Sequence, residues 1–415
     1  MKKFDVLVAG GGFAGTAAAI SAARGGKKVI LFDKFNAPGG AAAVNLVTPF
    51  MPYWTINKER NKREYLTGGI FSEIVGKLRE LGAMEGDDKF SDEYLKLVLN
   101  RMIKEAGVTV LYHAYLKDVE KEGKSIKSVT VSALGQDIKI AADTFIDATG
   151  DGVLSYLAGC SFMLGRKGDN LCQPMTLCFR VANVDVGRFY AEMPEMQKLY
   201  KEKQSSGEIR NPRENILTFV VPAKGIIHFN TTRVVKLNPT DPFDVTEAEF
   251  AAREQVFELF DLLKASFSSM KDADLIMTAA GIGVRESRMI EGEHILTAND
   301  LKECTKFPDS VARGNYDIDI HNPEGTGTSH YYFAPGEYYT IPYRSLTVKD
   351  ADNLLVAGRC ISADHEAQAS IRIMPICAST GEAAGIAASL APGGKVKEVD
   401  IKALRERLTA SGALI

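Results

Sequence analysis

A chain of 415 residues is too long for one ordinary hydrophobic core, so two domains are the starting expectation. Its 50 basic and 53 acidic residues leave a net charge of -3, which gives no pull towards nucleic acid or any other polyanion. Six cysteines, Cys160, Cys172, Cys178, Cys304, Cys360 and Cys377, contain no C-x-x-C pair, which argues against a zinc ribbon, an iron–sulfur cluster or a dithiol centre.

The first residues, Met1-Lys2-Lys3-Phe4-Asp5, carry charge where a signal peptide is apolar, and they run straight into a strand pattern. No run of about 18 apolar residues occurs, so a cytoplasmic protein without a membrane span or a metal site is expected.

The apolar run Phe4 to Ala9 leads into Gly10-Gly11-Gly12-Phe13-Ala14-Gly15. A small-residue helix pattern follows from Thr16 to Arg24, and a second apolar run, Lys28 to Phe32, ends on Asp33. This order predicts strand, glycine turn, helix and parallel strand, with an acid at the tip about 20 residues on. Gly10 permits the tight turn, Gly12 admits a pyrophosphate to the backbone, and Gly15 lets the helix lie against the sheet. The N–H groups at the start of that helix, near Ala14, would hold the diphosphate, and Asp33 would accept from the adenosine ribose while repelling a 2′-phosphate.

Next comes a second glycine turn, Pro38-Gly39-Gly40-Ala41. An NAD-binding unit usually proceeds directly to another helix here, whereas flavoproteins with such a loop set it beside the ribityl and pyrophosphate, so the reading moves from NAD to FAD. Val47 to Asn57 holds two prolines and three aromatics and reads as irregular. Arg63 to Leu81 and Asp92 to Glu105 show helical spacing, the second opening at Ser91. Val108 to Ile140 reads as an antiparallel meander, after which a separate strand from Asp143 ends in Asp147-Ala148-Thr149-Gly150.

From Cys172 to Tyr343 the dinucleotide signal is absent. Thr176 to Val181, Ile216 to Val221 and Ile226 to Val235 read as strands and Thr246 to Ser266 as a helix, together a cap over the cofactor. The expected division is 1–160 for the first part of an FAD-binding domain, 161–345 for a mixed α+β cap or substrate domain, and 346–415 for the returning part. There Asn353 to Arg359 is a strand ending in glycine, and a helix from about Ile376 to Leu390 carries Pro375 in its first turn. Gly381 and Gly385 among alanines give that helix a close-packing face.

Four stretches, Gly10 to Gly15 with Asp33, Asp147 to Gly152, Val284 to Arg288, and Leu354 to Gly385, carry a resemblance that spans nearly the whole chain. The sequence resembles the soluble bacterial branch of the FAD-dependent oxidoreductases allied to fumarate reductase and succinate dehydrogenase flavoproteins. The resemblance implies an α/β fold with a Rossmann-like FAD domain of glutathione reductase type 2 and a cap. It implies one extended FAD, with its ADP part on Gly10, Gly12, Phe13, Ala14, Gly15, Asp33 and Lys34. Gly39, Gly40 and Ala41 would border the pyrophosphate and ribityl, Tyr115 or its neighbours the adenine, and Ala148, Thr149 and Gly150 the flank. Gly358, Arg359, Met374 and Pro375 would lie near the isoalloxazine, with the helix after Pro375 favouring negative charge on the reduced ring. No histidine occurs between Gly39 and Thr48, so the FAD is expected to be non-covalent. The arginine and histidine constellation of the fumarate-reducing members is not found as a whole.

Hydride transfer needs a substrate carbon over flavin N5 and a group to move the partner proton. His365 is the first candidate, Arg372 and Arg285 are candidates to hold a substrate carboxylate or oxygen, and Tyr343 is a candidate proton donor. Against these stand a histidine satisfied by loop carbonyls, an ion pair of Arg285 and Arg288 with Glu286 or another acid, and a packing tyrosine. The chain is expected to take a small-molecule substrate and an external electron donor or acceptor. Alkene reduction or dehydrogenation is the first reading, an electron-transfer flavoprotein subunit the second, and an NAD-dependent dehydrogenase the third.

Overall fold

The computed structural model describes residues 2–415. Strand β1 (Lys2–Ala9), helix α1 (Phe13–Arg24) and strand β2 (Val29–Phe32) follow the apolar, glycine and small-residue runs. β1 and β2 are parallel, with Val6 opposite Val29 and Ala9 opposite Phe32. Their apolar residues are buried on both faces, which is the condition of a central strand in a parallel sheet.

Helices α2 (Gly69–Glu80) and α3 (Asp92–Glu105) come next. α3 has the expected bounds, with Ser91 at its N-cap and Asp92 and Glu93 where the helix dipole favours acids. The helix expected from Arg63 begins later, because Lys62–Tyr65 is a strand paired with Trp54–Asn57, which in turn gives order to a segment expected to be irregular. Tyr53 stacks on Tyr65 at 5.5 Å and the Arg63 guanidinium lies 4.1 Å over the Trp54 ring. Such cross-strand pairs outweigh the helical spacing of the charges.

Strand β3 (Thr109–Leu111) pairs parallel with β2 and so belongs to the dinucleotide sheet, not to the meander. β4 (Ala114–Glu122) and β5 (Ser125–Ala133) are antiparallel. β6 (Gln136–Asp147) is one strand where two were expected. Its first half pairs antiparallel with β5 and its second half parallel with β1, because no glycine or proline between Lys139 and Thr144 ends it.

The cap contains β7 (Phe179–Ala182), α4 (Val186–Ser205), β8 (Thr218–Val220), β9 (Ile227–Phe229), α5 (Pro242–Ser266) and β10 (Asp274–Thr278). Its antiparallel sheet has the order β8-β9-β7-β10. α5 begins ahead of Thr246 because the Asp241 carboxylate accepts from the N–H groups of Phe243 and Asp244, and Pro242 takes the first turn. One hydrophobic core is drawn from Leu46 and residues 175–282, while residues 290–348 pack in the core of the first sheet.

The hairpin β11 (Ile318–His321) and β12 (Thr328–Tyr331) precedes β13 (Leu354–Val356), which lies parallel to β6 with Val356 opposite Asp147. The large sheet therefore runs β3-β2-β1-β6-β5-β4, with β13 beside β6. Helices α6 (His365–Ile371), α7 (Met374–Leu390) and α8 (Ile401–Ala410) close the chain. A Cβ on Gly381 would stand 2.1 Å from the Ala14 carbonyl oxygen and one on Gly385 2.2 Å from that of Ala18, so α7 and α1 touch backbone to backbone. Among the described residues no single helix is long and apolar enough to cross a membrane; α6 and α7 pass that test only as a pair bent by 94°.

Candidate cofactor and active site

The carboxyl ends of β1, β6 and β13 bring the glycine turns together. Gly10 has φ +96°, and a Cβ there would lie 2.5 Å from the Ala148 carbonyl oxygen. A Cβ on Gly15 would lie 1.8 Å from the Gly10 oxygen, so these two glycines are fixed by strand and helix contact. Gly12 differs. The nearest atom to its would-be Cβ is the Gly40 Cα at 3.9 Å, which leaves open space at the N-terminus of α1, a position that favours anions. The Gly39 N–H donates to the Gly11 carbonyl at 2.8 Å, so the loop of Gly39, Gly40 and Ala41 lies on the first turn.

Asp33, at the end of β2, accepts from the N–H groups of Gly11 and Phe35. A carboxylate has about four acceptor sites, so capacity remains for two ribose hydroxyls. The Phe13 ring is buried edge-on to Phe50 at 5.7 Å, which leaves only its backbone for the turn. Ala14 meets Gly358, whose Cβ would lie 2.8 Å from its own. Lys34 is exposed with Nζ 5.2 Å over the Phe35 ring, and Tyr115 is 60% exposed beside Ala114, whose N–H donates to the Asp33 carbonyl. On the other flank are Ala148, Thr149 and Gly150, the Thr149 hydroxyl donating to Asp147 at 2.7 Å. Met374 and Pro375 begin α7 and are buried.

The arginine after Gly358 is committed. Arg359 donates to Asp151 at 2.7 Å and to the Ser287 hydroxyl at 3.1 Å, and its guanidinium covers Gly150. Burial works against the Asp151 carboxylate, yet the charges of Arg359 and Lys34 and the hydrogen bonds from Arg359 and Ser287 together outweigh it and hold that carboxyl below its usual range.

His365 opens α6, held there by the Asp364 cap, and its Nδ1 lies 2.7 Å from Glu286 Oε1. A carboxylate oxygen only accepts, so Nδ1 carries the hydrogen and Nε2 is left as the free ring nitrogen. Glu286 is 0% exposed, and its second oxygen accepts the Gln173 N–H at 2.9 Å. The ion pair weighed for Arg285 and Arg288, with Glu286 or another acid, is therefore not formed with Glu286, and among the described residues neither arginine pairs with any other acid. Arg285 donates to the Pro174 carbonyl and the Thr176 hydroxyl, and Arg288 lies 4.2 Å over the Tyr156 ring.

Arg372 is 3.4 Å from Asp319 Oδ2. Tyr343 is buried; its hydroxyl donates to the Val396 carbonyl at 2.8 Å and burial pushes its phenol up, which is the state of a packing tyrosine. Cys360 is fully buried with its thiol pushed well up by burial, the state of an inert core cysteine.

Sequence reasoning missed the middle of the site. Gln173 links to Gln368 at 3.2 Å, Gln368 donates to the Arg285 carbonyl at 2.9 Å, and the His321 N–H donates to Gln173. His321 Nδ1 meets an Arg233 guanidinium nitrogen at 3.0 Å, which only donates, so Nδ1 accepts and Nε2–H faces Asp319 at 3.3 Å. Burial and the Arg285 charge accordingly push His321 well below its usual range. Burial opposes ionisation of Asp319, but the His321 hydrogen bond and the Arg372 and Arg285 charges hold it ionised. The one signal for this strand was the alternation Asp317, Asp319, His321, which sets Asp319 and His321 on one face of β11 with Asp317 just ahead of it.

A family model described as FAD dependent oxidoreductase matches residues 5–408. No curated protein matches the chain. Among solved structures it is similar to a geranylgeranyl bacteriochlorophyll reductase-like protein of Thermoplasma acidophilum, at 12% identity and TM-score 0.47 over 99% of this chain and 84% of that one. A flavoprotein/dehydrogenase from Cytophaga hutchinsonii matches at 14% identity and TM-score 0.46, over 98% of this chain and 82% of that one. A p-nitrophenol 4-monooxygenase from Pseudomonas putida matches at 11% identity and TM-score 0.41, over 71% of this chain and 70% of that one. With 404 of its residues spanned by that model, the chain belongs to the FAD-dependent oxidoreductase family and is an α/β flavoenzyme whose cofactor is FAD.

Proposed function

We propose that this enzyme transfers a hydride between a non-covalently held FAD and a small organic substrate, by alkene reduction or dehydrogenation, with His365 moving the accompanying proton. The observation that carries the reading is the pairing of His365 with the fully buried Glu286 at 2.7 Å, just after the glycine end of β13 and before α7. FAD, when bound, supplies the two-electron centre. Gly12, Gly39, Gly40 and Asp33 would hold its diphosphate and ribose, with Ala148 to Gly150 and Gly358 along its length. The N-terminus of α7 at Met374 and Pro375 would favour negative charge near the ring by about 0.3–2 kcal/mol.

Glu286 holds the imidazole in one tautomer, so the Nε2 lone pair is available as base and its protonated form as acid. Residues of the cap, within 161–345, would exclude water from the reacting carbon. Kinship with fumarate and succinate flavoproteins belongs to this reading and rests on the Val284–Arg288 and Leu354–Gly385 stretches. So do a cytoplasmic location and an external electron donor or acceptor.

The test is anaerobic reduction of the purified yellow protein, followed by a panel of enoates, hydroxy acids, polyols and amines. Bleaching or recovery of the flavin band by one class, slowed at least about tenfold in His365→Gln, supports the reading. A protein that stays colourless after FAD is added, or a His365→Gln variant with wild-type rates, refutes it.

A further inference from the structure

Where the cap meets strand β11, four arginines gather: Arg213, Arg233, Arg285 and Arg372. Two of them are neutralised. Arg233, 1% exposed, pairs with Glu214 at 3.2 Å, and Arg372 pairs with Asp319 at 3.4 Å. The other two are not. Arg213 is 5% exposed, and its one side-chain contact is a long 3.5 Å approach of Nε to the Asn215 amide oxygen. Arg285 donates only to a carbonyl and a hydroxyl. Among the described residues neither forms an ion pair.

His321 is neutral by the hydrogen-bond argument above, and Asp317 is taken by the exposed His330 at the outer edge of the hairpin. Four guanidinium groups thus face two carboxylates, and two positive charges stand without counterions. Arg213 is buried and Arg285 half-buried; an uncompensated buried charge costs several kcal/mol, and a half-buried one a lesser share of that, unless something else pairs with it. Burial and the neighbouring Arg372 push Arg285 down to about 9, as expected of a cation short of anions. Further donors await partners, since neither Arg233 Nε nor Arg372 Nε has one. The diphosphate of FAD is not the missing anion, because its cradle is at the N-terminus of α1 and no hydrogen bond joins that turn to these arginines.

We propose that Arg213 and Arg285 seat an anionic substrate of about two negative charges, bearing carboxylate or phosphate groups, with Arg233 and Arg372 as fixed walls. The seat adjoins the proton-moving group through Gln368, which donates to the Arg285 carbonyl, and Gln173, which joins Gln368 to Glu286 and so to His365. In naming a substrate this inference rests on the proposed function; as an anion site it stands without it.

The experiment uses FAD-loaded protein in low-chloride buffer, titrated with saturated dicarboxylates, inorganic phosphate and the uncharged diamides. Thermal unfolding and the flavin difference spectrum are the readouts. Saturable binding is expected for dianions and not for diamides, and the stronger of the two anion classes identifies the group recognised. Half-saturation should rise at least about tenfold in Arg213→Gln and Arg285→Gln, less in Arg285→Lys, and not in the surface control Arg253→Gln. Without ligand, Arg213→Gln should unfold at the wild-type temperature or above it, since it removes an unpaired buried charge.

Absence of saturable dianion binding, equal binding of the diamides, or variants that unfold earlier yet bind as wild type would each overturn the proposal. Dianion binding without turnover of any panel class refutes the proposed function alone. Turnover confined to uncharged substrates refutes the anion seat alone.

Discussion

Substituting Gly381 by alanine tests how α7 and α1 hold the cofactor turn. A Cβ at this position would stand 2.1 Å from the Ala14 oxygen and 2.6 Å from its carbonyl carbon, against the 3.4 Å at which ordinary contact begins. Both clashing atoms are backbone, so the helices must part by roughly 1 Å, which costs about 1–3 kcal/mol and more where the surroundings are rigid. Alanine gains up to about 1 kcal/mol of helix propensity over glycine, which offsets part of this. A net loss of about 1–2 kcal/mol lowers the unfolding temperature by about 2–4 °C in a chain of this length. Ala14 belongs to the first turn of α1, so FAD should dissociate more readily as well. The comparison is Gly76→Ala in α2, where a Cβ meets nothing within 4 Å and a gain of about 0.5–1 kcal/mol is expected. Thermal scans and the ratio of flavin to protein absorbance after gel filtration read both effects. If Gly381→Ala is stabilised like Gly76→Ala and retains its flavin, the backbone contact of α1 and α7 is not what positions the turn.

Gly12→Ala places its Cβ 3.9 Å from Gly40 Cα, so the apoprotein should keep its stability while FAD affinity falls at least about tenfold; an unchanged affinity by flavin fluorescence titration would contradict the cradle. Buried His228, pushed down to about 3 by burial, and His321 both bind a proton more readily when unfolded. The unfolded state therefore holds more protons below its own value near 6.5, and stability is lost as pH falls from there, by about 1.4 kcal/mol per unit for each histidine. Urea unfolding at three pH values reads the slope, and His228→Phe should lessen it; a flat profile between neutrality and pH 5 contradicts it. Glu286→Gln replaces a charge-assisted bond with a neutral one and loosens the tautomer and orientation of His365, so flavin reduction should slow at least about tenfold. An unchanged rate means that Glu286 is only structural. Tyr343→Phe should cost about 1 kcal/mol of stability through its bond to Val396 and leave flavin reduction at the wild-type rate.

The sequence by itself determined the dinucleotide unit, because every part of it is local. Gly10, Gly12 and Gly15 are read from backbone need and Asp33 from its place at a strand end; α3 follows from its cap and its apolar period. Even the α1–α7 contact was foreshadowed by Gly381 and Gly385, although only the fold named α1 as the partner. Tertiary structure decided what depends on partners distant in the chain. Glu286 was assigned to its neighbours Arg285 and Arg288, but burial beside α6 gives it to His365, 79 residues away. β6 became one strand because β5, β1 and β13 all pair along it, and Lys62–Tyr65 left its helical spacing for an aromatic hairpin. The gathering of Arg213, Arg233, Arg285 and Arg372 was beyond any local pattern. A residue's charge is written in the sequence, but whether that charge finds a counterion is settled only when the cap closes on β11 and water is removed.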